Sequence, residues 1–161
     1  MCNIEIQNRS DDMVVEKLLD KAFGRDRFKK AAYALRDGID PIAALSFVVR
    51  KNDGIVATLR FWPVKISGHD ALLLGPIAVL PELQGQGYGI NLMKYGLNKA
   101  KVLGHTRVVL VGDEPYYKKV GFSRDLARSL HMPGQDDESR LLASELIPGA
   151  FQGISGNITS I

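Results

Sequence analysis

Pro81-Glu82-Leu83-Gln84-Gly85-Gln86-Gly87-Tyr88-Gly89 stands between an apolar run, Leu72 to Leu80, and a segment whose apolar residues recur at helical spacing. Glycines at three alternating positions leave backbone N–H groups unobstructed, and a helix starting here adds unpaired donors and the positive end of its dipole. Such a turn suits an anion that accepts several main-chain amides at once, a phosphate or pyrophosphate. The same glycines would also serve a loop that merely turns the chain. Two phosphate-binding patterns fail on the residues. A P-loop needs Lys and Ser or Thr after its last glycine, where Ile90 and Asn91 stand. A dinucleotide fingerprint needs a glycine at Ile90 and glycines directly after the strand, yet Pro81 to Gln84 intervene. Only 48 residues follow Asp113 (161 minus 113), too few to complete a doubly wound sheet.

Leu72 to Leu80 reads as a strand buried on both faces. Gly87 to Leu103 reads as a helix with Ile90, Met93, Leu97 and Ala100 on one face and Gly104 at its end. Arg107 to Val111 is a β-branched strand that stops at Gly112. Strand, helix and strand in this order predict a βαβ unit with parallel strands and a right-handed crossover. Upstream, Ile4 to Gln7 forms a short strand, and Ser10 is placed to cap a helix with the stripe Val14, Val15, Leu18, Leu19, Ala22 and Phe23. A second helical pattern, Phe28 to Leu35, is stopped by Gly38 and Pro41. Leu45 to Val49 and Ile55 to Phe61 form a hairpin turning at Asn52, Asp53 and Gly54. Downstream, a short helix at Pro115 to Val120 is closed by Gly121, and Gln135 to Ser139 is a polar loop. Arg140 to Ile147 has helix formers by propensity, but its position also suits a final strand.

The chain has 161 residues, of which 45% are hydrophobic and 24% charged, so a single packed domain over residues 1–161 is expected. Lys and Arg number 21 against 18 acids, a net charge of +3. This balance suits a phosphate-bearing small molecule and falls short of the basic stripe of a nucleic-acid protein. Cys2, the one cysteine, excludes an intramolecular disulfide and a cysteine-rich metal site. The longest apolar stretch, Ala71 to Leu80, is too short for a bilayer, and no basic-then-apolar leader is present. The expectation is a cytoplasmic protein with neither a membrane partner nor a metal.

Gln84-x-x-Gly87-x-Gly89, with Val79 and Pro81 just upstream, resembles the acetyl-CoA signature of the GNAT superfamily of N-acyltransferases. About 28 residues later Tyr117-Lys118-Lys119-Val120-Gly121-Phe122 is similar to that superfamily's Tyr-x-Lys-x-Gly-Phe helix end. The order, separation and secondary structure of both segments agree with the resemblance, which is close over Leu72 to Phe122 and weak after Ser123. Leu74-Gly75-Pro76-Ile77-Ala78-Val79 and Tyr116 to Phe122 resemble the small single-domain acetyltransferases of bacteria. The resemblance implies an α/β (α+β) fold: a mixed, mostly antiparallel sheet of about six or seven strands, one splayed parallel pair, and helices on both faces.

The resemblance also implies acetyl-CoA as cosubstrate. The main-chain amides from Gln84 through Gly85, Gln86, Gly87, Tyr88 and Gly89 would bind its pyrophosphate, and the backbone of Ile77, Ala78 and Val79 would pair with its pantetheine arm like an added strand. An N–H near Ile77 to Val79 would polarise the acetyl carbonyl. Tyr117 is the expected general acid, because a phenol with pKa about 10 is protonated at neutral pH. On the helix Tyr116 aligns with Val120, which places Tyr116 in the core and Tyr117 towards the slot.

Leu72 to Val79 lacks the strand carboxylate that some relatives use as base. Deprotonating a lysine-type amine at pH 7 costs about 4.6 kcal/mol and an α-amino group about 1.4 kcal/mol, so the absence leans towards an amine of lowered pKa. Asp113, Glu114, His131 or water alone remain open as base. The activity expected is direct acetyl transfer to a primary amine of a small molecule or peptide in a ternary complex. One alternative is a non-catalytic acetyl-CoA-binding module. Another is an acetyltransferase for an RNA-linked aminoacyl group, using Arg25, Arg27, Lys29 and Lys30 as a basic patch, although Asp20, Asp26 and Asp37 interleave with it. A homodimer through the C-terminal strands is compatible with the resemblance.

Overall fold

The computed structural model describes residues 3–24, 27, 30–52 and 54–161. In chain order the elements are β1 (Asn3–Ile6), α1 (Asp12–Phe23), α2 (Ala31–Ala34), β2 (Ser46–Lys51), β3 (Gly54–Ile66), β4 (His69–Val79), α3 (Tyr88–Val102), β5 (Arg107–Val111), α4 (Glu114–Tyr117), β6 (Leu130–His131), β7 (Leu141–Glu145) and β8 (Gly156–Ser160). Strand alternation decides which helix covers which face. On β2, Phe47 and Val49 join Leu59, Phe61, Leu92 and Met93 beneath α3. Val48, between them, points the other way and meets Val15, Leu18 and Leu19 of α1. Helices therefore lie on both faces, as expected.

The sheet runs β1-β2-β3-β4-β5-β7, antiparallel except where β4 meets β5 in parallel. Beside this path of six, β8 pairs with the far end of β3, and the two-residue β6 pairs with β8. These two attached strands bring the sheet to eight, above the expected six or seven. Gly156-Asn157-Ile158-Thr159-Ser160 has only Ile158 as a buried anchor, which is too little periodicity to announce a strand. Arg140 to Ile147 resolves as β7, because Leu141 to Ser144 are all buried and pair with β5. Burial on both faces overrides helix propensity there.

The N-terminal cap also differs from expectation. Asp11, not Ser10, stands at the N-cap position of α1, and its side chain makes no cap hydrogen bond there, accepting instead the Asn8 N–H at 2.9 Å while pairing with Arg50 at 2.7 Å. The stripe on α1 is narrower than its spacing suggests, since Val14 and Phe23 are exposed. Of the second helical pattern, α2 covers Ala31–Ala34; Phe28, like Cys2, Arg25, Asp26, Lys29 and Asp53, lies outside the described residues.

α3 rests on the sheet through Gly96, where a Cβ would come within 2.8 Å of Phe61 Cε1 and 3.1 Å of Leu59 Cδ2. Both neighbours are fully buried and cannot step aside. Gly96→Ala is expected to lower stability by about 1–3 kcal/mol despite alanine's better helix propensity. The midpoint of urea unfolding checks this, and a rise in midpoint would show that the helix can lift.

Candidate active site

The parallel contact between β4 and β5 consists of two registered pairs, Leu72 with Val108 and Leu73 with Val109. Beyond them the strands part. β4 pairs with β3 at Leu74 and again from Ile77 to Val79, across an irregularity at Gly75 and Pro76, and among the described residues no strand occupies its other edge. β5 meanwhile follows β7 to the pair Val111 with Leu141. A cavity of about 490 Å³ opens in this fork, bounded by Gly75 to Ile77 on one side and by Gly112, Asp113 and the two tyrosines of α4 on the other. A second cavity, of about 680 Å³, lies beside it against α1 and Trp62 and shares Tyr33, Arg36, Pro76 and Gly134 with the first.

The glycine loop abuts the same fork. Gly85 and Gly87 sit at φ +80° and +91°, a left-handed backbone that glycine adopts without strain. Gly87 immediately precedes α3. Among the described residues the N–H groups of Gly85, Gln86, Gly87 and Gly89 find no main-chain acceptor, whereas that of Gln84 reaches Pro81 at 3.4 Å. The Gln84 side chain is used internally, donating from its amide to the Val79 carbonyl at 3.2 Å and so tying the loop to the end of β4. Gly89 is buried, and a Cβ there would lie 3.8 Å from Ile77 and Val79 side chains. Of the strand residues expected beside the cofactor arm, Ile77 lines the cavity and Ala78 is buried on the α1 side.

Tyr117 and Tyr116 both line the cavity, but their packing reverses the expectation. Tyr117 packs edge-on to Phe122 and joins the main core together with Val120, while Tyr116 is 39% exposed. The cause lies in the helix. α4 is a single turn that tightens to a 3-10 turn at Lys118–Val120, so the three-residue spacing aligns Tyr117, not Tyr116, with Val120. The Tyr116 hydroxyl instead approaches the start of α3, 2.7 Å from where a Cβ on Gly89 would be. Tyr117 lies flat enough on Gly112 that a Cβ there would be 2.2 Å from its ring. Burial, helped by the neighbouring Tyr116 and Asp113, pushes the Tyr117 phenol up to about 12, with Arg140 opposing.

The family model described as an acetyltransferase (GNAT) domain matches residues 43–124, just over half of the chain. The chain belongs to the GNAT acetyltransferase family. It is 29% identical over 121 residues to an uncharacterized N-acetyltransferase, YjhQ, of Escherichia coli K12, spanning 73% of this chain and 67% of that protein. Among solved structures, the GNAT family N-acetyltransferase YhbS of Escherichia coli, crystallised in complex with CoA, superposes with a TM-score of 0.83 at 26% identity, covering 99% of this chain and 89% of that one. A GNAT family acetyltransferase from Brucella melitensis in complex with acetyl-CoA shares the fold, with a TM-score of 0.74 at 24% identity over 100% and 96% of the two chains.

Within this GNAT domain the three side chains considered as base separate clearly. Asp113 lines the cavity, exposed and 3.3 Å from Arg140. Glu114 accepts the Arg124 backbone N–H at 2.7 Å and so holds the chain after α4. His131 pairs with Glu138 and lines neither cavity. Arg27, counted in the basic patch, is 2% exposed and paired with Glu16 at 2.7 Å and Asp20 at 3.0 Å, so it is withdrawn from the surface. Arg25 and Lys29 of that patch lie outside the described residues. No helix of the described residues is long and apolar enough to cross a membrane.

Sequence reasoning overlooked Arg36, Tyr33 and Trp62, which line the second cavity. The only local signal is the three-residue spacing of Tyr33 and Arg36, which does not reveal burial.

A raised phenol pKa has a definite pH signature. Tyr117 contributes stability that is intact below its ordinary value of 10 and is lost as pH rises towards 12. In an absorbance titration, the difference between wild type and Tyr117→Phe is expected to show one phenol ionising above pH 11. Ionisation of that phenol below pH 10 would show that the ring is open to water.

Proposed function

We propose that the chain transfers the acetyl group of acetyl-CoA to a primary amine of a small molecule or peptide, by direct attack in a ternary complex. The observation that carries this reading is the conjunction of the Gly85, Gln86, Gly87 and Gly89 amides, which find no main-chain acceptor, with the edge of β4 from Leu74 to Val79 that no strand among the described residues occupies. The amides suit the pyrophosphate of the cofactor, and the strand edge suits the amide-bearing pantetheine arm. Relatives crystallised with CoA and acetyl-CoA support the same cofactor. The thioester then lies in the fork, where main-chain N–H groups of β4 stabilise the developing oxyanion.

The amine nitrogen attacks the carbonyl carbon, the C–N bond forms and the C–S bond breaks, leaving an amide and the CoA thiolate. The nitrogen loses one proton, which passes through water beside Asp113, and the sulfur gains one. Tyr117 supplies the hydrogen bond to the departing sulfur. A phenol near 12 is a weaker acid than a thiol near 8.5, so complete transfer from it would be uphill by about 5 kcal/mol. Its contribution is therefore made at the transition state, with the net proton drawn from the nitrogen.

Tyr117→Phe is expected to lower kcat by at least tenfold while CoA affinity in calorimetry stays within twofold. Gly87→Ala places a side chain at φ +91° and is expected to weaken CoA binding several-fold through backbone strain of about 1–2 kcal/mol. CoA binding without thiol release across a broad amine panel would replace the transferase with the non-catalytic module.

A further inference from the structure

Among the described residues no carboxylate neutralises Arg36, a buried cation. It follows α2, is 8% exposed, and lines both cavities. Its Cζ lies 4.6 Å from the centre of the Tyr33 ring and 5.6 Å from that of Trp62. Trp62 is fixed in turn, because its indole N–H donates to the Gly75 carbonyl at 2.6 Å. The Tyr33 side chain gives the guanidinium a hydrogen bond, but neither it nor the aromatic faces carry a negative charge to balance the cation. Arg36 Nε is buried with no hydrogen-bond partner.

Asp37 and Asp136 line the cavities without forming an ion pair to Arg36, and the nearby carboxylates of α1 are committed elsewhere. Glu16 is shared between Arg27 at 2.7 Å and Arg60 at 3.3 Å, and Asp20 pairs with Arg27 at 3.0 Å. Among the described residues none forms an ion pair with Arg36. Burial brings the Arg36 pKa down to about 10, with Tyr33 opposing and Arg60 adding to the fall, so the group is charged at neutral pH. An unpaired charge held away from water is costly until an anion completes it. Position supplies the anion's relation to the chemistry. A Cβ on Gly75 would come within 3.0 Å of Arg36 Nη2, so the guanidinium rests on β4 two residues before Ile77, at the unpaired edge.

We propose that the amine acceptor also bears a carboxylate, and that Arg36 receives it on its N–H fork at the floor shared by the two cavities. This rests on the acetyl-transfer reading above and specifies its substrate class. A planar carboxylate matches the fork in two parallel hydrogen bonds. One guanidinium balances one negative charge; a phosphate dianion would draw on a second cation, which Arg27 and Arg60 do not offer because they are engaged and which Lys30 offers only from an exposed position beside both cavities.

The test uses amines in matched acid and amide forms: glycine and glycinamide, leucine and leucinamide, phenylalanine and phenylalaninamide, β-alanine and β-alaninamide, with phosphoethanolamine against ethanolamine as the phosphate arm. Thiol release from acetyl-CoA and calorimetric binding to the CoA-loaded protein are read for each. At least one acid is expected to exceed its amide by tenfold or more in kcat/KM. In Arg36→Gln that ratio is expected to collapse through KM while the KM for acetyl-CoA stays within twofold, and Arg36→Lys is expected to recover part of it. Turnover of amides as good as that of acids in the wild type overturns the proposal and leaves the transferase standing. So does a preference confined to phosphoethanolamine. Binding of acids that depends on Arg36, without thiol release from any amine, upholds the carboxylate site and removes the transferase. Neither binding nor turnover of any acid overturns the assignment of Arg36.

Discussion

Two residue pairs hold β4 to β5, and the arrangement of the site follows from the pairing stopping there. A parallel ladder carried on through Leu74 to Val79 would satisfy every amide of that edge and leave no slot. β5 instead turns its remaining length to β7, while β4 remains anchored to β3 by an antiparallel ladder reaching Val79. The edge is thus vacant yet rigid. α3 begins against the same stretch, with Gly89 close to Ile77 and Val79, so one segment of strand meets both the helix mouth and the cavity. Missing side chains make this contact possible. Gly89, Gly112 and Gly75 stand where Tyr116, Tyr117 and Arg36 come closest to the backbone.

The polar groups around the fork fall into two kinds. Glu16, Asp20, Arg27 and Arg60 neutralise one another and stiffen the ground between α1 and β3. Tyr117 and Arg36 are left with burial that their own neighbours do not offset, and both are shifted by it, one phenol upward and one guanidinium downward. Groups of the second kind gain most from a ligand, because the desolvation cost is already present in the empty protein.

Much of this was legible in the chain itself. The βαβ unit from Leu72 to Val111 announced itself because an apolar run, a glycine loop and a helical stripe each carry a local signature, and its family resemblance follows from two motifs inside it. The tyrosine pair was read with the wrong period. A four-residue spacing was assumed where α4 tightens after one turn, so the core residue and the exposed one were interchanged. Arg36 left no trace in the sequence, because its burial comes from Trp62 and Gly75, far along the chain. β8 escaped for a related reason: one buried isoleucine sets its face, and its partner strand lies some ninety residues earlier.

The two cavities share a floor at Arg36 and Pro76 but are walled differently, one by β5 and α4, the other by α1 and Trp62. Traffic through one need not wait for the other to empty. On the acetyl-transfer reading proposed above, an acetylated product would depart while spent thiol still fills the fork, and a new acceptor would arrive before it leaves. The sequence of arrivals and departures is then governed by relative affinity rather than by obstruction.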